Sequence, residues 1–360
     1  RRLFMKELMK GNAALAEAAI RAGCRMFAGY PITPQSEILE YLSSHMPAAG
    51  GQFVQTESEL AGISMIMGAA AAGMRAMTSS SGPGFTLKQE GISYLSSAEI
   101  PAVIVDVMRY GIGLGDINVG QADYFQATKG GGHGGYKLPV LAPASVQENA
   151  DLIVKAFDLA EQYRTPVLVL SDASIGQMCG GVSLPEPKEY DINRFDWSLK
   201  GRDAEHTNGR TFTDRMYYDF IDEKYDAHIR ERYNNMKENA QEWEEINTED
   251  AGIILVAYGI SSRICKEAIK LAEGEGIKLG LIRPIALWPF PQKAFNKANG
   301  KSKGYVAIEM NAMGQMVEDV FIASHGSTPV YSMATGKEIP DSEDIIAFVK
   351  DVLANKKEAF

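Results

Sequence analysis

The chain has 360 residues, of which 45% are hydrophobic and 23% charged, a globular composition long enough for two domains of ordinary size. Its net charge of −10 argues against nucleic acid and anionic membrane surfaces as partners. No apolar run approaches the roughly 18 to 20 residues needed to span a bilayer.

The opening Arg1-Arg2-Leu3-Phe4-Met5-Lys6 is too short for a secretion signal, and no small-residue cleavage pattern follows it, so a cytoplasmic location is expected. Cys24, Cys179 and Cys265 lie far apart, with no C-x-x-C pair and no histidine at metal spacing. Neither a cysteine-ligated iron–sulfur cluster nor a structural zinc is expected from this chain, and no residue is assigned as a metal ligand.

Residues Gly11 to Gly23 read as a helix stopped by Gly23. Cys24 to Ala28 is a short apolar strand that runs into Gly29-Tyr30-Pro31-Ile32-Thr33-Pro34, where two prolines forbid helix and stiffen the loop. Pro34 suits the first turn of a helix over Gln35 to Ser44. Thr33 is thereby expected on a rigid loop at the carboxyl end of a strand, where ligands gather in open α/β sheets.

Gln52 to Gln55 is the next strand, followed by a helical run from Glu59 to Ala72. That run is apolar on every side, which predicts burial all round, yet it begins with a carboxylate. Glu59 shares a face with Ile63 and Ile66. A carboxylate there needs a partner or a proton, because burying it charged and alone costs too much. Either Glu59 serves the helix start, beside a cap from Ser58 or Thr56, or it belongs to a functional site.

Arg75 to Ser80 is a strand ending in the turn Ser81-Gly82-Pro83-Gly84, with a helix from Phe85 to about Ser96. Pro101 to Met108 is a near-continuous apolar strand, as in a parallel sheet buried on both faces, and it ends at Arg109. A glycine-rich segment runs from Gly111 through Gly130-Gly131-Gly132-His133-Gly134-Gly135 to Tyr136; a loop of that length in a compact domain is usually functional. Ser145 and Glu148 form a capping box for a helix from about Val146 to Tyr163, and Pro166 to Asp172 is another buried strand. The alternation predicts a doubly wound α/β domain over 1–185.

Residues 186–250 read as a polar surface connector, helical from Thr213 to Trp243. A second, smaller α/β domain is expected over 251–360, with strands at Ala251–Gly259, Lys278–Pro284 and Tyr305–Glu309 and a final amphipathic helix near Asp341 to Ala354.

Taken in order, Tyr30-Pro31-Ile32-Thr33-Pro34, Ser58-Glu59 with Gly68 nine residues on, Thr78 to Phe85, and Val107-Met108-Arg109 resemble the 2-oxoacid:ferredoxin oxidoreductases. These thiamine-diphosphate enzymes oxidatively decarboxylate 2-oxoacids with CoA to acyl-CoA and CO2, passing electrons to ferredoxin. The resemblance covers nearly the whole chain; Leu281 to Phe290 looks like the family's transketolase C-terminal-like domain. Leu87 to Ile92, Ala122-Asp123-Tyr124 and Lys129 to Gly134 make it most like the pyrimidine-binding (alpha-type) subunit of the branched-chain 2-oxoisovalerate (3-methyl-2-oxobutanoate) enzymes. The alternatives are a 2-oxoglutarate or pyruvate enzyme of the family, or a non-catalytic scaffold subunit.

The resemblance implies a fold with a pyrimidine-type thiamine-diphosphate domain ahead of the smaller one. It makes Glu59 the carboxylate that hydrogen-bonds N1′ of the aminopyrimidine and so promotes loss of the cofactor's C2 proton. Tyr30, Pro31, Ser81, Gly82 and Phe85 become cofactor neighbours. Arg109 and Thr33 become contacts of the 2-oxoacid carboxylate, because a guanidinium binds a carboxylate with two prongs and a loop hydroxyl adds a donor. Lys88 is a further anion ligand, and Asp123 and His133 are candidates. The family holds diphosphate and Mg2+ through a Gly-Asp-Gly motif that this chain lacks; Gly115-Asp116-Ile117 is the nearest approach. Mg2+ and [4Fe-4S] clusters are therefore expected on partner subunits, with thiamine diphosphate shared between chains.

Overall fold

The structure, a computed structural model, describes residues 6–202 and 223–360. The opening residues 1–5 and the first part of the expected connector helix, Thr213 onward to residue 222, lie outside the described residues.

The chain begins with β1 (Glu7–Lys10) and α1 (Gly11–Arg21). It continues through β2 (Met26–Gly29), α2 (Ser36–His45), β3 (Gln52–Gln55) and α3 (Glu59–Ala71). Then come β4 (Ala76–Ser80), α4 (Pro83–Ser97), β5 (Val103–Met108) and a short α5 (Tyr124–Thr128) inside the glycine-rich segment. A two-residue β6 (Val140–Leu141), α6 (Val146–Tyr163), β7 (Val167–Asp172), α7 (Ala173–Gln177) and β8 (Cys179–Val182) complete this unit. β8 folds back antiparallel onto β1.

The main sheet has the order β6-β7-β5-β4-β2-β3 with parallel pairing throughout. Every residue of β4, β5 and β7 is buried, as in a parallel sheet covered on both faces by helices. Chain order reverses between β2 and β4, so the loops leaving them diverge and open a crevice at their carboxyl ends.

After α8 (Glu223–Asn239) the chain forms β9 (Trp243–Ile246), β10 (Ile253–Val256), α9 (Gly259–Gly274) and β11 (Leu279–Pro284). β12 (Ala286–Trp288), α10 (Gln292–Ala298), β13 (Gly304–Glu309), α11 (Met316–Ser324), β14 (Val330–Ala334) and α12 (Ser342–Leu353) follow. The second sheet has the order β14-β13-β10-β11-β9. Two strands cross the expected divisions: β9, from the polar stretch, edges the second sheet, and β12 leaves the second unit to pair antiparallel with β6 of the first. Within the polar stretch, α8 also buries Met236 and Arg232.

One expectation about α3 fails. Its inner face buries Ile63, Ile66 and Ala70, but Leu60 and Met65 remain 45% and 42% exposed, and Ser64 and Gly68 are open beside them. Each buried isoleucine contributes about 1.5–3 kcal/mol, enough for one face to seat the helix against β2, β4 and α4. Among the described residues nothing covers the outer face.

Arg283 on β11 joins the two units. It is 2% exposed and grips both oxygens of Glu148 at the start of α6, at 2.9 and 3.0 Å. The expected capping box is half realised. The Ser145 hydroxyl accepts the Glu148 amide, while the Glu148 carboxylate accepts the Ala144 amide and Arg283. Arg283 also lies 3.2 Å from Glu244, and both acids keep some contact with water, so Arg283→Met should lower the unfolding free energy of the chain by about 2 kcal/mol in denaturant titration, the scale of lost charge-assisted hydrogen bonds. Arg283→Lys should recover less than half of it, since an ammonium cannot span both oxygens.

Candidate active site

Loops from β2, β4 and β5 and the amino end of α3 converge at the crevice. The loop after β2 leaves Tyr30, Pro31 and Thr33 exposed and turns through a cis Thr33–Pro34 bond. Gln35, fully buried, staples it down: its amide donates to the Tyr30 carbonyl at 2.9 Å, and its oxygen accepts the Ser79 hydroxyl at 2.6 Å. Asn12 adds a bond to the Pro34 carbonyl at 3.0 Å. The loop is thus tied to α1 and β4 by buried side chains.

At the start of α3 the cap is Ser58, whose hydroxyl accepts the Ala61 amide at 3.3 Å. Glu57 is exposed and Glu59 is 5% exposed, so the buried acid is not the capping residue. Its carboxylate lies over the amino end of α4: a Cβ on Gly84 would come within 2.3 Å of both Glu59 Oε1 and Ser80 Oγ. A side chain there would displace both oxygens. The helix dipole favours an anion at this position.

Lys88, one turn further along α4, is fully buried. Its ammonium donates to Thr78 Oγ1 at 3.0 Å and to the Glu59 carbonyl at 3.4 Å. Burial pulls its pKa down to about 8, and the charge of Glu59 resists that fall. The side chain expected to meet a substrate anion instead lies beneath the Glu59 turn.

Arg109 follows β5 and is 7% exposed. It donates to the Thr33 carbonyl at 3.0 Å and to the Leu114 carbonyl at 2.5 Å, while its Nε has no partner. It packs over Gly82, whose φ of +48° makes the sharp turn into α4. Arg109, Gly82, Pro83, Thr86, Ile112 and Asp123 border a cleft of about 190 Å3. So Thr33, Arg109, Gly82 and Asp123 are brought together, and Ser81 and Phe85 are buried behind them. His133 lies elsewhere, in a second cleft of about 670 Å3 between α4, the glycine run and α8.

The segment from Tyr110 to Lys129 is held in place by the second unit. Gln121, fully buried, sits at the carboxyl ends of β10 and β13, the switch point of the second sheet. Its side chain donates to the Tyr258 carbonyl and accepts from the Ser261 hydroxyl and the Met310 amide. Its backbone exchanges bonds with Met310 and Asn311. Gly259, at φ +56°, must be glycine because a Cβ would strike Asp172 Oδ2 at 2.4 Å and Gln121 Nε2 at 2.8 Å. Gln315 and Asp319 hold the next turn through Phe125 and Tyr124.

The sequence reading passed over Asp106, Gln121 and Asp172. The signal for Asp106 was available: it is the one acid in the apolar strand Val103–Met108, and it is fully buried. Gln121 carried no signal, since its partners are some 140 to 190 residues away.

Residues 17–248 match the family described as pyruvate flavodoxin/ferredoxin oxidoreductase, thiamine diphosphate-binding, and residues 251–342 match pyruvate:ferredoxin oxidoreductase core domain II. The chain is 46% identical to ketoisovalerate oxidoreductase subunit VorB of Methanothermobacter marburgensis, over 96% of this chain and 97% of that one. It is 38% identical to 2-oxoglutarate synthase subunit KorA of Methanocaldococcus jannaschii, over 87% and 90% of the two chains. Among solved structures, 2-oxoglutarate:ferredoxin oxidoreductase from Magnetococcus marinus superposes with a TM-score of 0.85 at 27% identity, covering 98% of this chain and 66% of that one. A split-gene transketolase shares the fold at a TM-score of 0.60 and 13% identity. The chain belongs to the pyruvate flavodoxin/ferredoxin oxidoreductase family, as a subunit carrying its thiamine-diphosphate-binding domain and core domain II.

Proposed function

We propose that this chain supplies the aminopyrimidine-holding half of the active site of a branched-chain 2-oxoacid:ferredoxin oxidoreductase, with 2-oxoisovalerate and CoA as substrates. The observation that carries this reading is Glu59. A carboxylate buried at a helix start, not used as the cap, with Gly84 kept empty against its oxygen, is an acceptor held for a ligand. The neighbouring hydroxyls of Ser80 and Ser81 are buried and unpartnered, which fits a polar ring placed against them.

Thiamine diphosphate, when bound, supplies a carbon nucleophile and an electron sink. Glu59 would hold a proton at pyrimidine N1′, and Lys88 would steady the turn that carries it. Arg109, on the cleft wall, would bind the 2-oxoacid carboxylate through its guanidinium, while Thr33 offers a hydroxyl from the loop that Arg109 grips. Arg109 is the one basic side chain among the described residues lining the 190 Å3 cleft, alongside Pro83 and Ile112. A second carboxylate, as in 2-oxoglutarate, would find no cation there and would meet Asp123, which favours an apolar side chain on the substrate.

Diphosphate, Mg2+ and the iron–sulfur clusters belong on partner subunits, and ferredoxin takes the electrons. The exposed Leu60 and Met65 of α3, Leu87 and Tyr94 of α4 and Ile112 and Leu114 of the cleft loop flank the site with apolar surface suited to a partner. We place the assembly in the cytoplasm.

With the reconstituted complex, CoA and a low-potential acceptor, kcat/KM for 2-oxoisovalerate should exceed that for 2-oxoglutarate by about 100-fold or more, the scale of one unpaired buried charge, and that for pyruvate by about tenfold, the scale of the apolar contacts a lone methyl leaves unmade. A preference for 2-oxoglutarate would reject the branched-chain assignment. The isolated chain should bind thiamine diphosphate with Mg2+ at least about 100-fold more weakly than the complex by titration calorimetry, because half the contacts are missing. In the complex, Glu59→Gln should slow C2 hydrogen–deuterium exchange of the bound cofactor and kcat alike by about 100-fold or more, with the fold intact by circular dichroism. Normal exchange in that variant would remove Glu59 from the role.

A further inference from the structure

Asp106 and Asp123 come from different parts of the chain, the middle of β5 and the segment pinned by Gln121, and meet behind the Arg109 cleft. Asp106 is fully buried and Asp123 is 8% exposed, on the cleft wall. The carboxyls are within hydrogen-bonding reach of one another. Both oxygens of Asp106 and Oδ2 of Asp123 find no donor among the described residues. Two carboxylates are acceptors only, so they cannot bond in contact unless one holds a proton.

We propose that Asp106 and Asp123 share one proton and, as an acid–carboxylate pair, are positioning residues that lock Arg109 and the Gly82 turn in the geometry that receives the substrate carboxylate. The assignment rests on the reading of Arg109 given above. Asp106 holds the proton and donates it to Asp123, whose negative charge then faces the Arg109 guanidinium. A single bond thereby ties the loop after β5 to the strand it left, across the floor of the cleft.

Charge around the pair supports this order. Burial raises the Asp106 pKa well above the carboxylate range, and the charge of Asp123 raises it further, against the Gly82 amide and Arg109. Burial brings Asp123 up to about 6, opposed by Asp106 and Arg109. The other groups facing the pair are Tyr258, at the start of α9, with Asp172 from β7 and Glu309 from β13 beyond it. Tyr258 is fully buried with an unpartnered hydroxyl, and all four acids disfavour its ionisation, so it adds no charge. Asp172 and Glu309 are saturated by backbone amides of α7, α9 and α11. Asp106 has no such set of amide bonds; of the backbone amides only that of Gly82 favours its charged form.

As pH rises through the raised Asp106 pKa the pair loses its proton; two adjacent anions would then part, draw on Arg109 and raise KM for the 2-oxoacid. The holo complex tests this with Asp106→Asn, whose amide mimics the protonated acid, and Asp106→Leu, which matches volume but cannot donate. Near pH 7, Asn should keep KM within about threefold of wild type, and Leu should raise it by about tenfold or more, with kcat less affected. Wild-type KM should climb with alkaline pH, and that of the Asn variant should stay flat. Infrared difference spectra of the same complexes should show a protonated-carboxyl C=O stretch in wild type that fades with rising pH and is absent with Asn.

Equal KM values for the Asn and Leu variants, or a carboxyl band unchanged by Asp106→Asn, would overturn the pair. If Leu fails to fold, the Asn pH profile and the band decide. If the complex turns over no 2-oxoacid, the functional reading fails and the band still decides whether the proton is shared.

Discussion

Gln121 is the interaction on which the site depends. Its amide and backbone meet partners just past β10, on α9 and just past β13, and every one of these is buried. In an open α/β sheet the switch point is the place for a ligand. In the second unit that place is filled by a side chain of the first. A saturated buried amide is expensive to undo, since breaking one bond leaves several groups unpaired. The second unit therefore works as a clamp on the Tyr110–Lys129 segment, and through it on Asp123 and Arg109. Arg283 and β12 reinforce the joint from the other side.

Around that clamp the crevice concentrates charge in a setting that disfavours it. Glu59, Lys88, Asp106, Arg109 and Asp123 are each at most 8% exposed. Burying five ionisable groups so closely would be ruinous without compensation. Here each charge has a specific outlet: the α4 amino end for Glu59, Thr78 and a carbonyl for Lys88, two carbonyls for Arg109, and a shared proton for the two aspartates. Buried polar atoms left without a hydrogen-bond partner include the Ser80 and Ser81 hydroxyls and Nε of Arg109. A site that leaves its polar atoms unsatisfied in the absence of ligand has prepared its electrostatics for one.

The outer surface is equally unfinished. α3 and α4 carry apolar side chains on faces that the described residues do not cover, and a side chain at Gly68 would meet none of them. Helices that must be apolar on both sides ordinarily serve two interiors. The second interior, in our reading, is formed with the partner that holds the cofactor's diphosphate.

Much of this was legible in the sequence. The alternating strands and helices, the proline-stiffened Thr33 loop, the Gly82 turn and the lone carboxylate at the head of an apolar helix follow from local chemistry, because turns, caps and burial patterns are set by neighbours a few residues apart. The ordered motifs marked the family, and the chain's similarity to its relatives bears that out. The tertiary structure decided the rest. That α3 is open on one side, that Lys88 lies under Glu59, that β12 closes the first sheet, and that Asp106 meets Asp123 while Gln121 plugs the second sheet all depend on contacts between segments distant along the chain. Periodicity reports how a residue faces its own helix or strand; it carries no information about which distant polar group completes its hydrogen bonds.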